Sequence, residues 1–152
     1  MRMALVTLLC TLLLTGSGGT GARADGKAAV EKELKKFQGT WRFESVEAGG
    51  KKLPIAQFKG ITVTFEGDKS TVKKGDKLIQ VATLKLDPSK SPKTLDVTVA
   101  EGPNKGAVIL GIYEISADTL KVCFDPEGKK RPTEFKGASG SQTLVVHKRV
   151  KK

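Results

Sequence analysis

From about residue 40 to residue 150, apolar and polar side chains alternate with a period of two, in short runs broken by glycine, proline and aspartate turns. A period of two is the mark of pleated strands with one buried face. No crossover helix separates any two of these runs, and parallel neighbours need a connection of about a dozen residues or more. Antiparallel pairing of sequential strands is therefore the economical topology. About eight such strands either close into an up-and-down barrel or split into a sandwich. The chain has no Cys…Trp…Cys spacing of the kind an immunoglobulin-type sandwich carries. The fold class expected is all-β: an antiparallel up-and-down barrel of about eight strands.

The runs place the inward side chains. Thr40 to Glu47 sets Trp41 and Phe43 on one face, and Ile61 to Glu66 does the same for Ile61, Val63 and Phe65. A short strand over Ser70–Lys73 lies between the turns Gly67-Asp68 and Gly75-Asp76. Lys77 to Asp87 begins with Ile79 and Val81 but ends with Leu84 and Leu86, so a bulge or bend is expected near Ala82-Thr83. Thr94 to Ala100 alternates Leu95, Val97 and Val99, whereas Ala107 to Ile115 is apolar on both parities, as a deeply buried strand is. Thr119 to Asp125 and Thr143 to Val150 complete the set. Two connections are longer: a proline-bounded turn at Asp87 to Lys93, and the segment Pro126 to Gln142 with a Gly/Ser-rich tip at Gly137 to Ser141.

The amino-terminal segment has a different character. Arg2, an apolar run from Met3 to Leu14 and the small-residue site Ala22-Arg23-Ala24 have the form of a cleaved export signal covering residues 1–24. The run is too short for a membrane span, which takes about 20 apolar residues. Export places the remaining single domain, residues 25–152, in the periplasm or outside the cell, with no transmembrane segment after cleavage. Asp25 can then cap a helix over about Lys27 to Phe37, with Val30, Leu34 and Phe37 forming one apolar stripe and Gly39 ending it.

Export also changes the charge and the thiols. Loss of Arg2 and Arg23 lowers the net charge from +11 to +9, and loss of Cys10 leaves Cys123 as the single cysteine. No internal disulfide is then possible. Alternation sets Cys123 opposite the face of Leu120, Val122 and Phe124, where a packed, inert thiol is expected.

Gly39-Thr40-Trp41 opens the first strand after the helix, and Arg149 ends the last strand. This arrangement resembles the lipocalin-like (calycin) pattern. The resemblance implies that Gly39, Trp41 and Arg149 close one end of the barrel, with the flat guanidinium across the indole face. A closer resemblance runs through Leu34 with Gly39-Thr40-Trp41, Gly50-Lys51-Lys52-Leu53-Pro54, Leu86-Asp87-Pro88, Glu101-Gly102-Pro103 with Lys105-Gly106, Leu110-Gly111-Ile112-Tyr113-Glu114, Asp118-Thr119-Leu120 and Arg131-Pro132-Thr133-Glu134-Phe135. These motifs are similar to a planctomycete family of small exported domains of uncharacterised function. The resemblance implies a lineage and a secreted domain, and it brings no catalytic residue or reaction.

The residues themselves offer little catalysis. His147 is the single imidazole; nothing in the linear sequence brings it to Cys123 or a serine, so a solvated strand histidine is expected. One histidine and one cysteine fall short of a zinc site. H-E-x-x-H, P-loop and EF-hand patterns are absent from the sequence, and Gly137-Ala138-Ser139-Gly140-Ser141 lacks G-x-S-x-G spacing. No cofactor or metal is expected. Asp118, Asp125 and Glu114 fit turn formation and solubility better than paired acid–base work. Arg131 and Glu134 form either a polar pair at the barrel mouth or a local ion pair beside an anchoring Phe135.

Two function classes remain. The first is a binding module for a small apolar or amphipathic ligand, with Phe43, Phe65, Leu84, Val97, Val99, Val122 and Phe124 as the inward-facing contacts. The second is a filled barrel that touches acidic cell-envelope polymers through a basic rim. Nucleic acid is disfavoured, because stacking platforms are lacking beside the charge.

Overall fold

The structure is a computed structural model and describes residues 21–137 and 140–152. The expected export signal, apart from its last four residues, lies outside the described residues, as do Ala138 and Ser139 of the loop tip. Helix α1 spans Gly21–Phe37 and is followed by strands β1 (Gly39–Ala48), β2 (Lys51–Leu53), β3 (Ile61–Glu66), β4 (Lys69–Lys74) and β5 (Lys77–Asp87). Strands β6 (Lys93–Glu101), β7 (Val108–Ile115), β8 (Thr119–Asp125) and β9 (Thr143–Arg149) complete the chain.

Eight strands form one closed antiparallel barrel. Each of β3 to β9 pairs with its sequence neighbour, β1 pairs with β3, and β9 returns to β1 to shut the ring. The ninth strand, β2, is an addition to the expected eight. β3 covers β1 only from Gly39 to Arg42, and β2 takes over from Val46 to Ala48, where the edge is otherwise unpaired. Three residues with two exposed lysines carry no alternation to announce a strand.

One local expectation changes and a second is placed more closely. Among the described residues the helix already runs from Gly21, so Asp25 lies within it and is not its cap. The irregularity expected near Ala82-Thr83 is present at its edge, as a register shift between Val81 and Ala82 in the β5–β6 ladder, and a second shift lies in the β4–β5 ladder. Ile79 is skipped between β4 and β5, and Ala100 between β5 and β6. Gln80, Ala82, Leu84 and Leu86 consequently keep one inward parity, which leaves Ile79 and Val81 on the outer side.

The helix stoppers one end of the barrel. Phe37 is fully buried and meets Phe65 and Tyr113 edge-on at centroid distances of 5.3 and 5.2 Å. Glu33, on the same helix, accepts a hydrogen bond from the Tyr113 hydroxyl at 3.0 Å and pairs with Lys93 at 3.1 Å, which ties α1 to β6 and β7. Burial alone would raise the Glu33 pKa, but hydrogen bonds from Lys36, Lys93 and Tyr113 outweigh it and hold the carboxyl below its ordinary value. The packed core, with Trp41, Leu86, Leu95 and Leu120, is concentrated at this end.

The segment after β8 runs back over the outer wall. Arg131 donates to the Leu95 and Gly111 carbonyls at 3.0 and 2.8 Å and pairs with Asp96 at 2.6 Å. Pro132 is fully buried beside it, while Phe135 stays half-buried under Lys121. β7 is therefore covered on both faces, by the core inside and by this strap outside, which is why its sequence is apolar on both parities. Asp125 fixes the strap's start by accepting from the backbone N–H groups of Glu127 and Lys130 at 3.0 and 3.1 Å.

Candidate functional site

The closed end is built around one arginine. Trp41 and Arg149 are direct cross-strand partners on β1 and β9. The guanidinium carbon sits 4.2 Å from the indole centroid. Its nitrogens donate to the carbonyls of Gln38 and Lys36 at 2.6 and 2.7 Å and to that of Ala117 at 2.9 Å. A cation thus lies at the C-terminal end of α1, where unsatisfied carbonyls and the helix dipole favour it. The indole N–H donates to the Phe37 carbonyl at 2.7 Å. Gly39 has φ +111°, and a Cβ there would come within 3.2 Å of the guanidinium, so this position requires glycine.

At the opposite end the barrel is not filled. A cavity of about 160 Å³ lies above the packed layer, with a floor of Phe37, Leu120 and His147. Of the seven residues expected to face inward, Phe65, Leu84, Val97, Val122 and Phe124 line it. Val99 is buried opposite Ala82 without reaching the cavity. Phe43 flanks it, packed between Phe58 at 5.3 Å and His147 at 4.8 Å. Half-buried Val72, Gln80, Val97, Ile109 and Phe124 are the lining residues furthest from the helix, so they mark the mouth.

His147 corrects the expectation of a solvated histidine. The residue is 8% exposed and faces the lumen, because it shares parity with Arg149, which covers Trp41. Burial pulls its pKa down to about 4, with the Leu120 backbone opposing the shift, so the ring is neutral at physiological pH. Its Nδ1 is buried without a hydrogen-bond partner. Alternation puts this side chain in phase with Val145 and Arg149, and pairing of β9 with β1 sets it opposite Phe43 on the inner face. A linear reading does not supply that pairing.

Arg131 and Glu134 do not meet, and neither marks the mouth. Arg131 is occupied by Asp96 and two carbonyls on the outer wall, and Glu134 pairs with Lys136 at 2.9 Å in solvent. The strap that Arg131 holds also covers Cys123, which is fully buried and whose thiol donates to the Lys136 carbonyl at 3.5 Å. Burial raises the Cys123 pKa, so the thiol stays protonated and unreactive.

The turns at the mouth are strongly basic. Lys51, Lys59, Lys73, Lys74, Lys77 and Lys105 are all exposed there, and none has a carboxylate partner among the described residues. Among the described residues no group of three histidine, cysteine, aspartate or glutamate side chains could hold a metal ion. No described helix is long and apolar enough to cross a membrane.

Searches against protein-family models, curated proteins and solved structures find no match to this chain. The geometry above defines a closed β-barrel with a sealed end and a part-empty lumen.

Proposed function

We propose that this chain is an exported binding module whose lumen takes a small apolar or amphipathic molecule, and that it belongs with the exported lipocalin-like domains its motifs resemble. One observation carries the reading: an apolar cavity of about 160 Å³ in an otherwise packed barrel. Interiors of this density rarely leave such a space. An apolar cavity near 150 Å³ is large enough to bind benzene. That size suits a single ring or a short branched chain and excludes an enclosed sterol. Lys59, Lys74, Lys77 and Lys105 at the entrance favour neutral or anionic visitors over cations.

The test is a thermal-shift series with the full domain against toluene, short aliphatic molecules and hydrophobic dyes. A melting temperature that rises with toluene concentration supports the reading. No response to any apolar probe overturns it.

A second reading draws on the same lysines. Unpaired cations on one rim can hold the module against acidic envelope polymers, with the barrel as a spacer. Association with polyanions that weakens steeply with salt and is indifferent to toluene supports this role.

A further inference from the structure

The open end of the barrel carries aliphatic side chains in contact with solvent. Four large hydrophobic residues are exposed among the described residues: Ile55 at 45%, Leu78 at 45%, Val108 at 48% and Val150 at 41%. Single exposed aliphatic residues are ordinary on a soluble protein. The placement of these is not ordinary, because three of the four stand at the mouth. Leu78 is the second residue of β5, Val108 is the first of β7, and Ile55 opens the short 3₁₀ turn Ile55–Phe58 that precedes β3. Helix α1 stoppers the far ends of those same strands, where Phe37 packs with Phe65, Leu86 and Tyr113. Val150 alone is at the sealed end, where its N–H donates to the Thr40 carbonyl.

Backbone contacts between neighbouring connections bring the three together. The Gly75 N–H, in the β4–β5 turn, donates to the Gly60 carbonyl at 3.0 Å, which joins the segment after Ile55 to the hairpin that carries Leu78. Gly102, in the connection that leads to Val108, lies so close to β5 that a Cβ there would come within 2.8 Å of the Ile79 carbonyl oxygen. Lysines are set among these tips. Lys73 is the direct cross-strand partner of Leu78, and Lys74 is that of Lys77. Lys59 follows Ile55 by four residues, and Lys105 precedes Val108 by three. Against the six exposed lysines of the mouth stand two exposed carboxylates on the same turns, Asp76 and Glu101. Glu127, at the start of the strap, is paired with Lys129.

We propose that the mouth of the barrel docks on an anionic phospholipid bilayer, with Ile55, Leu78 and Val108 entering the acyl boundary and the lysines meeting lipid phosphates. Charge complementarity selects the anionic surface, because each lysine close to it adds to the attraction. The aliphatic tips select a bilayer over a soluble polyanion, which gives an exposed leucine or valine nothing to be buried in. Lysine stems lie along apolar surface while their ammonium groups stay in water, so the two kinds of residue suit one interface. A docked barrel stands upright with its sealed end outward and its lumen open toward the acyl layer. The docking surface is the rim itself, so the inference does not depend on whether the lumen holds a ligand.

The experiment measures binding of the full domain to vesicles of phosphatidylcholine alone and of equimolar phosphatidylglycerol and phosphatidylcholine, with soluble polyphosphate as the comparison polyanion. The expected result is binding to the anionic vesicles that weakens with salt and is at least about ten-fold weaker on phosphatidylcholine. Ile55→Ser, Leu78→Ser and Val108→Ser combined in one chain should lower the affinity for anionic vesicles by about ten-fold or more, the loss of three partly buried aliphatic side chains. The same variant should bind polyphosphate as the native chain does, and Val150→Ser should change neither affinity. Orientation is read separately from Leu78→Cys and Val150→Cys carrying a polarity-sensitive dye, since buried Cys123 stays unlabelled. On anionic vesicles the dye in Leu78→Cys shifts to the blue and the dye in Val150→Cys does not, a readout that decides alone if the triple variant does not fold. A triple variant that holds the anionic vesicles as tightly as the native chain, or a silent dye in Leu78→Cys, overturns the proposal in favour of an electrostatic surface for soluble polyanions. Absence of binding to anionic vesicles overturns it as well, and none of these results touches the toluene response of the lumen.

Discussion

Arg149 lies flat over Trp41, 4.2 Å from the indole centroid, while its nitrogens cap the last carbonyls of the helix that precedes Trp41 in the chain. One side chain thereby joins the final strand, the first strand and the helix, and it makes the closed end rigid. Removing it strips the indole of its cover and leaves several carbonyls without a donor. Arg149→Ala is expected to cost roughly 2–4 kcal/mol, the sum of a desolvated cation–π contact and charge-assisted hydrogen bonds. Arg149→Lys recovers little, because an ammonium has no planar fork. Urea unfolding of the three proteins measures both values.

Gly39 belongs to the same unit. Gly39→Ala forces a side chain into a positive-φ position and against the guanidinium, at an expected cost of about 1–3 kcal/mol. In the background of Arg149→Ala the steric part vanishes and only the backbone strain persists. A double-mutant cycle separates the two contributions.

Acid should reveal His147. Its native pKa is near 4 and its unfolded value near 6.5, so between those limits the unfolded chain binds the extra proton. Stability is then complete above about pH 6.5 and falls as the pH drops toward 4. The loss between pH 7 and pH 5 is expected to be about 2 kcal/mol. The carboxylates with lowered values, Glu33 among them, lose their contribution only from about pH 4.5 downward. His147→Phe flattens the pH 7 to 5 segment alone, which denaturant midpoints at the two pH values will show.

The outer strap can be read through the thiol beneath it. Cys123 should resist alkylating reagents in the native protein and react fully once unfolded. Arg131→Ala removes the ties to Asp96, Leu95 and Gly111. Labelling of Cys123 should then accelerate by at least about ten-fold, the effect of losing roughly 1.4 kcal/mol of local closure. Glu134→Ala, whose partner is solvated Lys136, should leave the rate unchanged.

The strand series, its antiparallel order and the helix were legible because period-two alternation and turn residues are local signals. Trp41 and Phe43 facing inward followed from the same alternation. Four things were not legible. The strand Lys51–Leu53 is too short and too charged to show a period. The strap's anchor, Arg131, binds partners on β6 and β7 that are twenty to thirty-six residues away in sequence. His147 looked solvated because lysine and arginine follow it, although its parity matches Val145 and Arg149. Whether the lumen is filled depends on how side chains of seven strands and a helix end meet, and no run of residues encodes that directly.

The central claim is that the lumen is a usable cavity, and Val97→Phe tests it most directly. Val97 lines the cavity near its mouth, and the larger ring has about 160 Å³ to enter. The account predicts a melting temperature equal to or above that of the native chain, together with loss of the toluene response. A fall of roughly 1–3 kcal/mol, as overpacking a full core produces, in a protein whose native form ignores toluene, would contradict it.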